Sequence, residues 1–158
     1  MKKVFFTGIG VLCSIFLVGC SATPEEVYMD SLEGQISRLE SLGDWLSTLG
    51  DQMLDENFNQ AFTTLTLVQD DIDALELPTY VWTNAFLKTA DQELTNALDQ
   101  TALLTELLQP VLQKAAENDA WSASQEDLSA LQSAEEITTK IEIHMDAAGE
   151  ALDAYETE

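Results

Sequence analysis

From about Glu25 to the end of the chain, apolar residues recur at spacings of three and four, the period of helices that bury one face. The pattern divides into four stripes, with breaks at residues 50–57, at Leu77-Pro78 and at residues 118–124. No segment combines strand alternation with a hairpin turn pair. Short connections between amphipathic helices favour antiparallel neighbours. The pattern therefore predicts an all-α fold, an antiparallel up-down bundle of four helices, or of three long helices if the first two stripes are fused.

The third stripe is the most regular, because its positions alternate strictly by four and three residues. Such an a/d seam is typical of helices that pack knobs into holes against their neighbours. We expect this helix to begin near Pro78 and to kink after Glu106, because Pro110 lacks a backbone donor. The predicted core positions of the stripe are Thr83, Leu87, Ala90, Leu94, Ala97, Thr101, Leu104, Leu108, Val111 and Ala115.

Local sequence signals place the helix ends. Gly50-Asp51 favours a helix end, so a turn is predicted between residues 50 and 57. A helix also ends at Leu77-Pro78, since the residue before a proline is disfavoured in the helical region. Ser124, with Asp127 three residues later, resembles a capping box at the start of the last helix. Trp121, in the polar turn before it, either covers the end of the bundle or contacts a partner.

The charge balance restricts the possible partners. The chain has 29 acidic residues against 6 basic ones, a net charge of −23. Such a field repels nucleic acid and anionic lipid surfaces, so we expect no nucleic-acid partner. It favours cationic partners or a high-salt environment, although a solvated acidic surface is the simplest interpretation.

The first residues are typical of a secretory signal, with Lys2 and Lys3 followed by 15 uncharged residues ending at Val18. That run is shorter than the roughly 20 residues that span a bilayer. Leu17-Val18-Gly19-Cys20 resembles the lipobox of bacterial lipoprotein precursors. The resemblance implies cleavage between Gly19 and Cys20, and a covalent diacylglycerol on Cys20, with or without a further N-acyl chain such as palmitate. An ordinary signal peptide and a short uncleaved anchor are the alternatives.

Three segments follow from this interpretation: a signal peptide at 1–19, a lipidated cysteine with a short tether at 20–26, and an acidic helical domain at 27–155. Cleavage would leave four basic residues against 29 acidic ones, a net charge of −25, and Cys20 as the one remaining cysteine. In lipoproteins of bacteria with two membranes, Ser21 after the cysteine implies delivery to the outer membrane. In a bacterium with one membrane, the protein would stay on the plasma membrane. The mature chain also resembles small helical lipoproteins of unknown role, which implies a fold more than a function.

Catalytic patterns are missing from the sequence. The one histidine of the chain is His144. A di-iron bundle has a Glu-x-x-His motif, but the residue three positions before His144 is Ile141 and not a glutamate. No phosphate-binding glycine loop or nucleophile elbow is present. We therefore predict no enzyme activity, no catalytic residue, no cofactor and no metal site. His144 is interpreted as a boundary residue paired with Glu142 or a neighbouring carboxylate, and Asp70, Asp71 and Asp73 as a solvated acidic face.

Tyr80, Trp82 and Phe86 cluster at the start of the third stripe. Aromatic residues often anchor interfaces, although in a bundle they more often lie in the core. We interpret these three as a candidate partner patch. The sequence thus favours a lipid-anchored, extracytoplasmic interaction module that binds an envelope protein. The alternative is a lipoprotein that binds a cation or a small molecule on its acidic faces.

Overall fold

The computed structural model describes residues 24–74, 80–118 and 120–157, with side chains from Leu32 onward except at 33 and 35. It contains four helices: α1 Pro24–Leu54, α2 Phe58–Asp73, α3 Ala85–Ala116 and α4 Gln125–Glu156. The described ranges contain no strand. The predicted all-α bundle of four helices is confirmed, and the three-helix alternative is wrong, because α1 and α2 are separated by a turn at residues 55–57.

The predicted signal peptide, Gly19 and Cys20 lie outside the described residues. Helix α1 begins at Pro24, so residues 24–26, assigned to the tether from the sequence, form its first turn. None of the helices in the described part of the chain is both long and apolar enough to cross a membrane.

The turn between α1 and α2 lies within the predicted range, but Gly50 does not end α1. The helix continues through it to Leu54, because the apolar stripe continues from buried Leu49 to half-buried Met53. The chain then reverses at Glu56, whose φ of 57° is in the left-handed region. The Asn57 amide donates to the Gln52 carbonyl (2.8 Å) and the Glu56 amide to the Met53 carbonyl (3.2 Å). These two bonds form a Schellman motif, which satisfies carbonyls at the end of the helix.

Helix α3 is the central helix of the bundle, packing against both α2 and α4 and also touching α1. Nine of the ten positions predicted for its stripe are buried. Thr83 is the exception, since it is exposed and precedes the helix. Leu98, Thr105 and Leu112, each next to a stripe position, are buried as well, so the buried face of α3 is wider than an a/d seam.

The start of α3 differs from the prediction. The helix begins at Ala85, and Asn84 takes an extended conformation (φ −77°, ψ 132°). The Asn84 side-chain oxygen accepts from the amides of Phe86 (2.8 Å) and Leu87 (3.2 Å), the bonds of an N-cap. This cap replaces Pro78 as the start signal. Pro78 itself and Leu77 lie outside the described residues.

At the other end, α3 passes through exposed Pro110 and continues to Ala116. The kink expected after Glu106 stays a prediction. The capping box at α4 is confirmed: the Asp127 amide donates to the Ser124 hydroxyl (3.2 Å), and the Ser124 amide donates to the Asp127 carboxylate (3.0 Å).

Trp121 packs onto the end of the bundle. It is half-buried, and its ring meets that of Phe58, the first residue of α2, edge to face at a centroid distance of 5.1 Å. Its backbone amide donates to the Asn118 carbonyl at 2.8 Å, which closes the turn before α4. Of the two interpretations from the sequence, the contact with Phe58 favours the covering of the bundle end.

Candidate interaction surface

The predicted aromatic patch does not form one exposed surface. Trp82 is only 8% exposed and belongs to the core, and Tyr80 is half-buried against the same cluster. Their rings pack edge to face with centroids 4.8 Å apart. Only Phe86, at 37%, is exposed. Tyr80 and Trp82 thus pack against the core and Phe86 alone of the three is exposed, and the assignment of these residues to a partner patch stays a prediction.

Trp82 also shapes the environment of Asp91, one turn and a half into α3. Burial raises the pKa of the Asp91 carboxyl, and a hydrogen bond from the Trp82 side chain partly opposes that rise by favouring the charged form. The indole is at the same time part of the buried core. The role of Trp82 is therefore to complete the fold at this end.

His144 pairs across the helix interface and not along its own helix. Its Nδ1 lies 2.6 Å from Oε2 of Glu93 on α3, and both side chains are about one-quarter exposed. The sequence suggested Glu142 or a neighbouring carboxylate, but Glu142 is exposed. The pairing of residues 51 positions apart depends on the register of α3 against α4, for which the sequence offered no signal.

The acidic residues on α2 do not converge on a site. Asp70, Asp71 and Asp73 are all exposed, and Asp73 accepts a hydrogen bond from Gln69 at 2.9 Å. In the described part of the chain, no group of three or more His, Cys, Asp or Glu residues is placed to hold a metal ion.

The described surface includes two depressions large enough to consider as ligand sites. One, of about 360 Å³, is lined only by residues of one face of α1, namely Ser41, Asp44, Trp45 and Thr48. The other, of about 60 Å³, lies between α2 and α3, where the Thr105 hydroxyl donates to Oε1 of Gln69 at 2.5 Å. A drug-sized ligand needs an enclosing pocket of roughly 300–1,000 Å³. The first depression has walls from one helix only and the second is too small for such a ligand.

The bundle is less closed between α1 and α4 than between its other neighbouring helices. Pairs of Cα atoms within 8 Å join α1 to α2, α2 to α3 and α3 to α4, but among the described residues none joins α1 to α4. A closed up-down bundle would bring the first and last helices together. The edge between α1 and α4, which we call the α1–α4 seam, is therefore the one edge of the described bundle without such close backbone pairs.

Hydrogen bonding identifies the flank of α1 that borders the seam. Gln52 accepts a hydrogen bond from Thr64 of α2 at 2.8 Å, so the flank carrying Gln52 faces α2. On the opposite flank, a seven-residue spacing relates Ile36, Gly43 and Gly50. Ile36 and Gly43 are half-buried and Gly50 is exposed. A Cβ atom placed on either glycine would meet nothing within 4 Å, so there is open space beside this flank.

The flank of α4 at the seam follows from the same argument. His144 contacts Glu93, so its side of α4 faces α3. On the other side of the buried face, four residues at seven-residue spacing are only half-buried. They are Leu131, Thr138, Met145 and Leu152. Gly149, beside them, also has open space where a side chain would stand.

The outer rim of the seam is acidic. On α4, exposed Glu135, Glu142 and Glu156 follow the half-buried residues at a four-residue spacing. On α1, Glu40 is exposed four residues after Ile36. Neither flank carries a basic residue among those described, since Arg38 shares the α2-facing flank and Lys140 the α3-facing one. The seam thus combines apolar residues that pack against the core and stay half-buried with a negative border.

The periodicity of α4 does not reveal this surface, because Leu131, Met145 and Leu152 have the spacing of core residues and pack against the core. One signal was available. The seam stripe includes Thr138 and adjoins Gly43, Gly50 and Gly149, which are small or polar residues where a closed bundle would carry large apolar ones.

Comparison with known proteins returned no match, either to a family model, to a curated protein or to a solved structure.

Proposed function

We propose that this protein is a lipid-anchored, extracytoplasmic interaction module of the bacterial cell envelope. Diacylglycerol on Cys20 would hold it to the membrane, and the α1–α4 seam would bind another envelope protein. The proposal assigns the chain a binding role, with no catalytic step and no cofactor.

The observation that carries the proposal is the position of the anchor motif relative to the fold. The Leu17-Val18-Gly19-Cys20 motif ends four residues before α1 begins at Pro24. Four residue steps span at most about 14 Å when extended. A bundle anchored through Cys20 would therefore stay beside the membrane, with the N-terminal end of α1 nearest to it. Two acyl chains suffice for stable attachment.

The seam supports the binding part of the proposal. Apolar surface that is rimmed by polar residues commonly marks a protein-binding site. A groove between two helices accepts a helix of a partner by the same packing that holds a bundle together. The seam carries half-buried apolar residues beside exposed carboxylates, whereas the predicted aromatic patch is largely buried.

The anchor is tested by expressing the full chain in a bacterial host with a labelled fatty acid. We expect the wild-type protein to incorporate the label, to fractionate with membranes and to lose residues 1–19. Cys20→Ser should abolish labelling, because the thioether cannot form. Cys13→Ser is the matched control, since Cys13 lies in the segment that is removed, and it should label normally.

Two results would contradict the anchor. Labelling that survives Cys20→Ser would place the lipid elsewhere. A wild-type chain that is cleaved but never labelled would indicate an ordinary signal peptide and a secreted protein.

A further inference from the structure

We propose that the partner bound at the α1–α4 seam presents a cationic amphipathic helix of about 20 residues. This inference rests on the proposed function and specifies its partner. The bound helix would insert an apolar stripe between α1 and α4 and place Lys or Arg residues over the acidic rim.

The length follows from the seam stripe on α4. Leu131 and Leu152 are 21 residues apart on one continuous helix, and both are half-buried. At 1.5 Å per residue that separation is about 32 Å. A partner helix that covers the whole stripe needs the same number of residues, and shorter segments would leave one end exposed.

The charge follows from the rim. Glu135 and Glu142 border the stripe on α4 and Glu40 borders it on α1, all of them exposed. With no described basic residue on either flank, an approaching helix meets carboxylates on both sides of its apolar stripe. Complementary charge of this kind speeds association and rejects partners of the same sign.

The same charge disfavours a second copy of this chain as the occupant. Each copy carries a net charge of −23, so two copies would bring acidic rims together at the seam. The glycines give room for a partner instead. At Gly43 and Gly149 the space that a side chain would fill is empty, so another helix can approach the backbone closely.

The test measures binding of a fluorescent 20-residue peptide of Leu and Lys, with Leu at helical spacing, to the full chain in micelles of an uncharged detergent. Two control peptides share its length. One has Glu in place of Lys, and the other has the same Leu and Lys residues in scrambled order. Titration against micelles alone gives the background.

Two variants remove the proposed contacts. Glu135→Gln with Glu142→Gln should weaken peptide binding about three- to tenfold, the effect of losing two exposed ion pairs. Gly43→Leu should weaken it at least as much by filling the seam. Open space at that position and the higher helix propensity of Leu make loss of the fold unexpected. Circular dichroism of each variant checks that helicity is unchanged.

The matched control is Asp70→Asn with Asp71→Asn, which removes two exposed carboxylates from α2, away from the seam. Saturable binding of the Leu/Lys peptide that only the seam variants weaken would support the inference. Equal weakening by the α2 variant would show nonspecific attraction, and equal binding of the scrambled peptide would remove the need for an amphipathic helix. Either result overturns the inference, as does an absence of binding, binding of the Glu peptide, or self-association through the seam.

These results are independent of the anchor. Fatty-acid labelling that depends on Cys20, together with a peptide that does not bind, would reject the cationic helix and keep the lipid-anchored module. Peptide binding to a chain that is never labelled would reject the anchor and keep the seam as a binding site.

Discussion

At the scale of single residues, Glu56 shows how a local conformation separates two helices. It occupies the left-handed position of the Schellman motif that ends α1, with φ of 57°. Glycine is strongly preferred at that position, because a Cβ atom makes the left-handed region unfavourable by about 1–2 kcal/mol. The turn nevertheless forms, because packing of α1 against α2 and two backbone hydrogen bonds hold it.

Replacing this residue should therefore stabilise the protein. We expect Glu56→Gly to increase the free energy of unfolding by about 0.5–1 kcal/mol, the steric relief less the extra entropy that glycine gives the unfolded chain. Urea unfolding followed by circular dichroism measures the change. Glu117→Gly is the matched control at the C-terminal end of α3, where φ is −82°, and it should destabilise or leave stability unchanged. A loss of stability in Glu56→Gly would contradict the assigned backbone conformation.

At the scale of an element, the start of α4 depends on one buried carboxylate. Asp127 accepts hydrogen bonds from the Ser124 amide (3.0 Å) and hydroxyl (2.8 Å), and it pairs with Lys114 of α3 at 3.0 Å. The bonds from Ser124 first, and then that from Lys114, lower the pKa of Asp127 from 3.8 to about 2. The cap thus ties the first turn of α4 to the end of α3.

This lowered pKa gives a pH dependence of defined sign. A carboxyl with a lower pKa in the folded state stabilises the fold above its unfolded pKa of 3.8, and that contribution is lost as pH falls toward about 2. We expect Asp127→Asn to lower the thermal midpoint near neutral pH, with the difference from wild type shrinking as pH falls from about 4 to about 2.

Glu126→Gln is the control for this prediction. It removes an exposed carboxylate from the same first turn, so it tests the general effect of negative charge near the start of a helix. It should lower the thermal midpoint less than Asp127→Asn. A difference between wild type and Asp127→Asn that stays constant between pH 4 and pH 2 would show that the charge of Asp127 does not stabilise α4.

At the scale of the whole molecule, the acidic charge and the open seam act together. Net charge far from zero keeps a protein soluble and repels further copies, but it also opposes the compact state. The α1–α4 seam carries half-buried apolar residues, and in our proposal its acidic rim would select a cationic helix. The same charges therefore contribute both to solubility and to the proposed choice of partner.

Screening of this charge should stabilise the fold. The screening length falls from about 30 Å at 0.01 M salt to about 10 Å at 0.1 M. We expect the thermal midpoint to rise continuously over this range of NaCl, and to rise less in Asp70→Asn/Asp71→Asn, which carries two fewer negative charges. Scanning calorimetry measures both. A midpoint that is flat or falls with added NaCl would show that charge repulsion does not limit stability. In a parallel titration, a rise of the midpoint that saturates at a low concentration of one divalent cation would instead indicate a specific cation site.

Much of the fold could be predicted from the periodicity, because a helix buries whatever its spacing places on one face. The positions of α3 from Leu87 to Ala115 are buried as predicted, and the cap at Ser124 forms from residues three apart. Helix ends were harder to predict. Gly50 favours an end, but the apolar stripe beyond it keeps α1 helical, and Asn84 replaced Pro78 as the start signal of α3.

The candidate surface was not predicted from the sequence. Aromatic spacing alone did not distinguish a patch from a core, and the structure places Trp82 in the core. The half-buried seam residues of α4 have the same apolar character as its core residues. Their exposure depends on how far α1 lies from α4, which is a property of the packing and not of either helix.

By itself, the sequence determined the helical class and most of the buried face of α3, because these depend on local propensity and on a period of 3.6 residues, but it left the number of helices at three or four. It also contains the Leu17-Val18-Gly19-Cys20 motif, which consists of consecutive residues and does not depend on the fold. The tertiary structure decided the pairing of His144 with Glu93, the burial of Trp82 and the open edge between α1 and α4. Each of these depends on distances between residues far apart in the chain, and such distances are set only when the helices pack.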